Sequence, residues 1–544
     1  MTSDTAGPSD SGGELSAFPA IPEVSLPDYV LGHARQRGAK RALVDAASGA
    51  ALTYAQLSAH VARASASLRA RGITKGDVLA LCAPNSIEFV VTLLAAGTAG
   101  IVVTTVNPAW TESEISRQLR QTGARWLVSS AGLLAGKLRA PARDAGIAGS
   151  FPIERMARGE MAPHNQAGAD PPTPAVPPVI GQAAAEPALL LSSSGTTGLP
   201  KIVVLSHRNL VASLCLTRLV HKVTADDVVL AALPLFHIFA LQVSVNLALL
   251  QGATLVVLPR FDLEPFLGAV ERYRVTRAEL VPPMILGLAS SDLVASRDVS
   301  SLRVLTSGAA PLGADLARAC ARSLGCRVKQ MYGLTEIGGA SHTAPDDGPD
   351  HPDSIGPALP GVQCRVIDPA SGTGAAPGTP GELLIRGPGV MQGYLGNPEA
   401  TAATIDAGGW LHTGDIVTVD AGGWYRVVDR VKELIKYKGL SVAPAELEAL
   451  LLSHPAVADV AVVRHPDETA GEVPKAYVVR RDAISEPELM DWVAQRVAPY
   501  KRVRLVEFTD SIPKSPSGKI LRRLLVSGEA AAGPASPEPV PAWP

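Results

Sequence analysis

No stretch of this 544-residue chain reads as a membrane span. The longest apolar run, Phe89 to Val106, is interrupted by Thr92, Thr98, Thr104, Thr105 and by Gly97 and Gly100. A spanning helix needs about 20 predominantly apolar residues, so a buried helix running into a buried strand explains the run better. Charge of one sign is also lacking. The formal net charge is −2, which leaves no electrostatic case for a nucleic-acid partner. Cysteine is scarce: Cys82, Cys215, Cys320, Cys326 and Cys364 are odd in number, scattered and without metal-ligand spacing. That pattern fits buried thiols in a reducing cytosol, with Cys320 and Cys326 packing a helix. Met1 to Leu15 is acidic and Ser/Gly-rich with no apolar centre, so a signal peptide is not expected. No internal repeat is visible. A Walker A loop is absent too, because no Gly is followed after four residues by Gly-Lys in the glycine-rich segment described next.

The chain is long for one domain, and 47% apolar against 18% charged residues predicts a globular protein with a large core. Helical patterns alternate with short apolar runs at Val78–Cys82, Trp126–Val128, Val228–Ala232 and Thr254–Leu258. This predicts an α/β fold, with layered, mainly parallel sheets and helices in a large N-terminal domain. Past Asp429-Arg430 the pattern changes to a smaller α+β C-terminal domain with helices over Pro444–Ser453 and Glu486–Val497. The expected organisation is a disordered 1–25, a main domain over 26–430 with a Pro-rich insert at about 157–187, a C-terminal domain over 431–526, and a disordered 527–544.

The most telling segment is Ser192-Ser193-Ser194-Gly195-Thr196-Thr197-Gly198-Leu199-Pro200-Lys201, directly after the apolar Ala188–Leu191. A strand feeds a flexible loop whose hydroxyls, bare N–H groups and ammonium suit a polyphosphate. Alone, such a segment is equally a surface turn, since Gly and Ser dominate turns. Five further motifs follow in register: Ser307-Gly308-Ala309-Ala310, Tyr332-Gly333-Leu334-Thr335-Glu336, Trp410–Asp415, Asp429–Lys436 and Pro513–Lys519. In order and spacing the set resembles the adenylate-forming superfamily of acyl-CoA synthetases, peptide-synthetase adenylation domains and beetle luciferases. The match runs from about Leu52 to Arg523. Pro234-Leu235-Phe236-His237 and Lys436–Glu446 are most similar to the 4-coumarate–CoA ligase branch, with a mobile C-terminal domain.

The resemblance implies a site, residue by residue. Making an acyl-adenylate brings a carboxylate to the α-phosphorus of ATP, so the site must neutralise charge and hold an in-line geometry. ATP would be held by Ser192, Ser193, Ser194, Gly195, Thr196, Thr197, Lys201, Gly333 and Thr335, with Gly308, Ala309, Ala310 and Tyr332 around the base. Asp415 and Arg430 would take the ribose, with Lys432 at the hinge. Glu336 and Thr196 would ligate Mg²⁺, a hard cation that takes oxygen ligands. Lys519, His237 and Lys436 are the expected catalytic contacts. Phe239, Ser307, Ala309, Gly333, Gly338 and Gly339 join His237 around the acyl group, the small residues leaving room for a flat acid. Lys438 and Gly439 would line the channel for CoA. The alternative for Lys432, Lys436 and Lys438 is one solvated face, which the neighbouring Asp429-Arg430 argues against, and for His237 a satisfied core histidine.

The implied reaction is ATP-dependent, AMP-forming ligation of an arylpropenoate-like acid to CoA. The expected cofactors are ATP and Mg²⁺, the partners a small acid and CoA, and the assembly a cytoplasmic monomer or homodimer without nucleic acid or membrane. The chain departs from the branch at four places: Ser441 replaces a usual Gln, Ile202 a Gly, Glu279 a Pro, and Gly339 a Pro. These departures bear on the acyl group and the acceptor. A second expectation therefore keeps adenylation and changes the acceptor, to a carrier protein or to nitrite-dependent diazotisation of an aryl amine. Arg277 and Glu279, two apart in a strand, share a face and read as a surface ion pair or as pocket residues.

Overall fold

The computed structural model describes residues 20–159, 182–193, 200–438, 440–467, 469–515 and 519–526. Ser194, Gly195, Thr196, Thr197 and Gly439 lie outside them, as do 1–19, 527–544 and most of the expected insert. The chain divides into two compact units. The first is Met1–Cys364 with Leu384–His412, and the second Arg365–Leu383 with Thr413–Pro544.

Two large sheets build the first unit. The eight-stranded sheet runs, edge to edge, Gly339–Thr343, Arg327–Leu334, Val304–Ser307, Arg277–Leu280, Val228–Ala231, Thr254–Val257, Arg41–Asp45 and Ala51–Thr53. Its six central strands are parallel, and each edge strand is antiparallel. The seven-stranded sheet is parallel from Pro187–Ser193 through Val102–Thr105, Val78–Cys82 and Trp126–Ser129 to Gly149–Pro152. Its other edge is made by Lys201–Ser206 and Gly393–Tyr394. Parallel strands need both faces covered, and their continuous Val/Leu character reflects it. The Phe89–Val106 run resolves into the buried helix Ile87–Thr98 and the buried strand Val102–Thr105, with Gly100 at φ 76° between them.

Local signals start the helices. Thr53 and Gln56 form a capping box on Tyr54–Ala70, and Ser206 and Asn209 one on His207–Val220. Burial pushes the thiols of Cys82, Cys320 and Cys326 up to about 12, so they are inert packing residues. Among the described residues no helix is long and apolar enough to cross a membrane.

The second unit has its own core. A mainly antiparallel sheet of Leu440–Val442, Ile435–Tyr437, Gly471–Arg480 and Val457–Asp467 packs Val460, Val462, Ala476 and Val478 against Leu447, Leu451, Leu489 and Val493. The last four come from the helices Pro444–Leu452 and Glu486–Ala494. Most of a four-stranded sheet belongs to this unit as well, including the hairpin of Leu411–Val419, from Thr413 onward, with Tyr425–Arg430.

Candidate nucleotide and acyl site

Two antiparallel strands, Pro187–Ser193 and Lys201–Ser206, flank the Ser/Thr-rich segment. Ser193 pairs with Lys201 and Ser192 with Ile202, so Lys201 is the first residue of the second strand. Ile202 is buried beside Val102 and Leu190, which accounts for an apolar residue there. The Lys201 ammonium sits 4.6 Å from the centre of the Tyr394 ring, and the Tyr394 hydroxyl donates to Glu336 Oε1 at 2.9 Å. Burial and the Glu336 charge push the Tyr394 hydroxyl well above its ordinary range, so it stays a donor. Lys201 and Glu336, far apart in sequence, are thus linked through one tyrosine ring. Glu336 follows the strand Arg327–Leu334 in a short 3₁₀ turn, and its carbonyl accepts from Met391 N at 2.8 Å.

His237 sits half-buried at the end of a turn that Asn85 pins. The buried Asn85 amide donates to Leu233 O (2.9 Å) and Leu258 O (3.1 Å) and accepts from Leu235 N (2.8 Å). Directly after Phe239 the chain forms a buried π-helix, Ala240–Asn246. Such wide turns are rare and concentrate at functional sites. Gln242 in it donates to Gly338 O at 3.2 Å and to Leu210 O at 3.0 Å. A Cβ at Gly308 would stand 2.7 Å from the Phe239 ring. The expected acyl residues His237, Phe239, Gly338 and Gly339 are therefore gathered around one π-helix, and the buried Ser307 precedes Gly308 in the chain.

The glycines are there for another reason than open space. A Cβ at Gly333 would lie 1.9 Å from Gly339 O, and one at Gly339 would lie 2.8 Å from Ser213 Oγ. Gly338 and Gly339 also have φ of 66° and 136°. Close backbone approach and left-handed dihedrals demand them. Ala309 adopts φ 67°, a strained value for a residue with a Cβ, at the loop expected to meet the base.

In the second unit Asp415 and Arg430 pair across the antiparallel hairpin, with Arg430 Nε 2.8 Å from Asp415 Oδ1. Lys519 stands close to the same pair. Burial and then the Arg430 guanidinium pull its ammonium down to about 8, against the opposing pull of Glu433 and Asp415. Ser515 Oγ accepts from Lys519 N at 3.1 Å and Ser515 N donates to Lys519 O at 2.7 Å. Lys432, Lys436 and Lys438 are exposed. Lys436 N donates to Glu472 at 2.8 Å, and Lys438 takes φ 48° in the turn beyond Tyr437.

Arg277 and Glu279 form neither a surface pair nor a pair with each other. Both are buried. Arg277 pairs with Asp227 and Asp346, and Glu279 accepts from Ser244 Oγ at 2.6 Å.

The comparisons accord with this arrangement. The AMP-binding enzyme model matches residues 32–395, and the AMP-binding enzyme C-terminal domain model matches residues 446–519. The chain belongs to the AMP-binding enzyme family. Over 534 residues this AMP-binding enzyme is 40% identical to 4-coumarate–CoA ligase 5 of Oryza sativa subsp. japonica, covering 95% of the chain and 97% of that protein. It is 38% identical over 528 residues to 4-coumarate–CoA ligase 1 of Arabidopsis thaliana, with 92% of each covered. Among solved structures it is similar to ATP-bound MatB from Rhodopseudomonas palustris, at TM-score 0.83 and 30% identity over 93% of this chain and 98% of that one. It also resembles an anthranilate–CoA ligase in complex with anthranoyl-AMP, at TM-score 0.84 and 25% identity over 94% and 99%. The mixed α/β fold with a smaller C-terminal domain is the one these enzymes share.

Two site residues of this AMP-binding enzyme escape the sequence reading, Tyr394 and Asn85. Asn85 carries a faint signal, a polar amide just after the apolar strand Val78–Cys82. Tyr394 carries none, because its role exists only through the pairing of Gly393–Tyr394 with Lys201–Ser206.

Proposed function

We propose that this AMP-binding enzyme is an ATP-dependent acid–CoA ligase that activates an arylpropenoate-like acid as its acyl-adenylate and passes the acyl group to CoA. The observation that carries the reading is near-full-length similarity to 4-coumarate–CoA ligases together with an intact set of charged residues: Lys201, Glu336, Asp415, Arg430 and Lys519. In this reading Lys201 and the hydroxyl-rich loop hold the β- and γ-phosphates, and Asp415 and Arg430 hold the ribose. Lys519 supplies positive charge as the carboxylate oxygen attacks the α-phosphorus and pyrophosphate leaves. His237 and Phe239 border the acyl group, with Lys436 near the adenylate and Lys438 near the thiol.

Magnesium fits the donors present. One Glu336 oxygen is engaged by Tyr394, leaving the carboxylate's other oxygen as a hard ligand. Among the described residues no cluster of three or more His, Cys, Asp or Glu could hold a metal alone, so Glu336 would complete a shell made largely of phosphate oxygens. When bound, the ion offsets phosphate charge. The chain's own part is to orient Glu336 through the Tyr394 hydroxyl and to hold Lys201 over the same ring. The partners in this reading are a small acid and CoA, in the cytosol, with the chain as a monomer or homodimer.

A second acceptor is favoured by one feature, Ser441 where the branch usually carries Gln. The test is pyrophosphate release over aryl and fatty acids with and without CoA, repeated with nitrite and aromatic amines. CoA-dependent turnover of arylpropenoates is the expected result. Release that ignores CoA and needs nitrite with an amine would overturn the CoA half-reaction and keep adenylation.

A further inference from the structure

Beneath the acyl residues lies a polar row that the reaction above does not use. Cross-strand pairing puts Glu279 beside Thr306 and Thr306 beside Lys329, across three parallel strands. Side chains alternate along a strand, so this row shares its face with Gly308, two residues beyond Thr306. Phe239 covers that face, since its ring is what a Cβ at Gly308 would strike. The π-helix covers it too, through the bond from Ser244 to Glu279. The row therefore sits one pleat repeat, about 6.6 Å, deeper than Gly308 and Phe239.

The row is chemically unfinished. Glu279 and Thr306 are each only 1% exposed. Both nearby cations are committed elsewhere: Lys329 donates to Ala344 O (2.8 Å) and Asp346 (2.5 Å), and Arg277 pairs with Asp346 and Asp227. Glu279 also faces His221, whose Nε2 is a long 3.4 Å from Oε1. Burial and the Lys329 charge hold that imidazole neutral. Thr306 Oγ1 and, on the π-helix, Asn246 Oδ1 have no hydrogen-bond partner among the described residues. A carboxylate offers about four acceptor sites, and Ser244 fills one.

We propose that Glu279 and Thr306 form an acceptor pair at the far end of the acyl pocket, selecting an acid that carries a primary amine remote from its carboxylate. This rests on the reading above that His237, Phe239 and Gly308 border the acyl group. An amine has two N–H donors and meets two acceptors presented from adjacent strands, about 4.8 Å apart. A hydroxyl donates once, to Glu279, and meets Thr306 only by accepting its O–H. A methyl group donates nothing and accepts nothing, and it leaves both acceptors buried and unpaired, the situation in which discrimination is steepest. Glu279 in place of the usual proline supplies the carboxylate, so the preference belongs to this chain's own sequence.

The test is calorimetric binding of non-hydrolysable acyl-sulfamoyl adenosines made from 3-amino-, 4-amino-, 4-hydroxy- and 4-methylcinnamic acid. The expected result is that one amine binds about 10–150-fold tighter than the methyl compound, the range for a hydrogen bond to a charged group, with the hydroxyl between. In Glu279→Gln that ratio should fall by about tenfold, and in Thr306→Val by a smaller factor. Both amines within about threefold of the methyl compound in the unmutated protein would overturn the proposal, as would a ratio unchanged in a folded Glu279→Gln protein. If that variant does not fold, the ratio in the unmutated protein and in Thr306→Val decides. Binding of these compounds needs no CoA, so the outcome separates from the ligase reading. Amine preference without CoA turnover leaves Glu279 standing and removes the acceptor. CoA turnover without amine preference does the reverse.

Discussion

Lys519 shows how much one side chain's surroundings decide. Its ammonium is held down to about 8 by burial and by Arg430, whereas a free lysine titrates near 10.4. In the role proposed for it, stabilising anionic charge, the ammonium works only while protonated. The rate should therefore be full below about pH 8 and fall roughly tenfold per unit above it. Since kcat/KM reports groups of the free enzyme, the profile to measure is kcat/KM for pyrophosphate release from pH 6 to 10. Lys519→Arg keeps a charge that does not titrate in this range. Its lower activity should lose the limb near 8, and a limb that persists there would assign it to another group. At this scale the sequence is most legible where a residue type carries its own chemistry. Lys201, Glu336, Asp415 and Arg430 stand out by motif, and the structure places Lys201 with Glu336 and Asp415 with Arg430. Tyr394 is illegible because an aromatic residue between a cation and a carboxylate is recognisable only once all three are placed.

At the scale of elements, glycines divide into those the backbone requires and those it tolerates. Gly333 lies where the strand Arg327–Leu334 shifts register against Gly339–Thr343, and the Gly339 carbonyl occupies its Cβ position at 1.9 Å. Gly333→Ala must displace that strand or the site turn, so it should cost at least about 3 kcal/mol, in the range of severe overpacking. Gly268 sits inside the helix Leu263–Tyr273 with nothing within 4 Å of its Cβ. Gly268→Ala should stabilise by about 0.5–1 kcal/mol, the helix cost of glycine. Denaturant midpoints of the two variants test the pair, and a Gly333→Ala protein as stable as the unmutated one would contradict the packing described. The sequence shows Gly268 only as Gly in a run, and it marks Gly333 by its motif without showing the close backbone approach that requires it. The same blindness hides the π-helix, because Ala240–Asn246 has an unremarkable apolar pattern and its wide turn is set by what packs around it. The Arg277 and Glu279 strand shows the opposite limit. Alternation correctly gives their shared face, but only the sheet order shows that this face is buried and that each finds a different partner.

For the molecule as a whole, the titrating groups give the two units opposite responses to acid. In the first unit, burial lowers His207 to about 4 and His342 to about 3, and burial with the Lys329 charge lowers His221. These imidazoles are neutral in the fold and ordinary in the unfolded chain. Their contribution is complete above about pH 6.5 and is lost as pH falls toward the folded values, at about 1.4 kcal/mol per histidine per pH unit. In the second unit burial raises Asp429 to about 7 and raises Glu448 as well. A carboxyl raised in the fold destabilises it most at high pH, and that cost is relieved as pH falls from about 7 toward the ordinary carboxylate range. Between pH 7 and 5 the first unit should therefore weaken while the second holds or gains. Hydrogen exchange of the buried strands Val228–Ala231 and Thr254–Val257 against Val457–Asp467 and Gly471–Arg480, corrected for intrinsic rate, reads the two separately. Protection should fall in the first pair and not in the second. Equal loss in both would mean that the buried histidines do not govern the acid response, and that the opposing charges of Asp429 and Glu448 are already compensated by Arg522, which lies close to both.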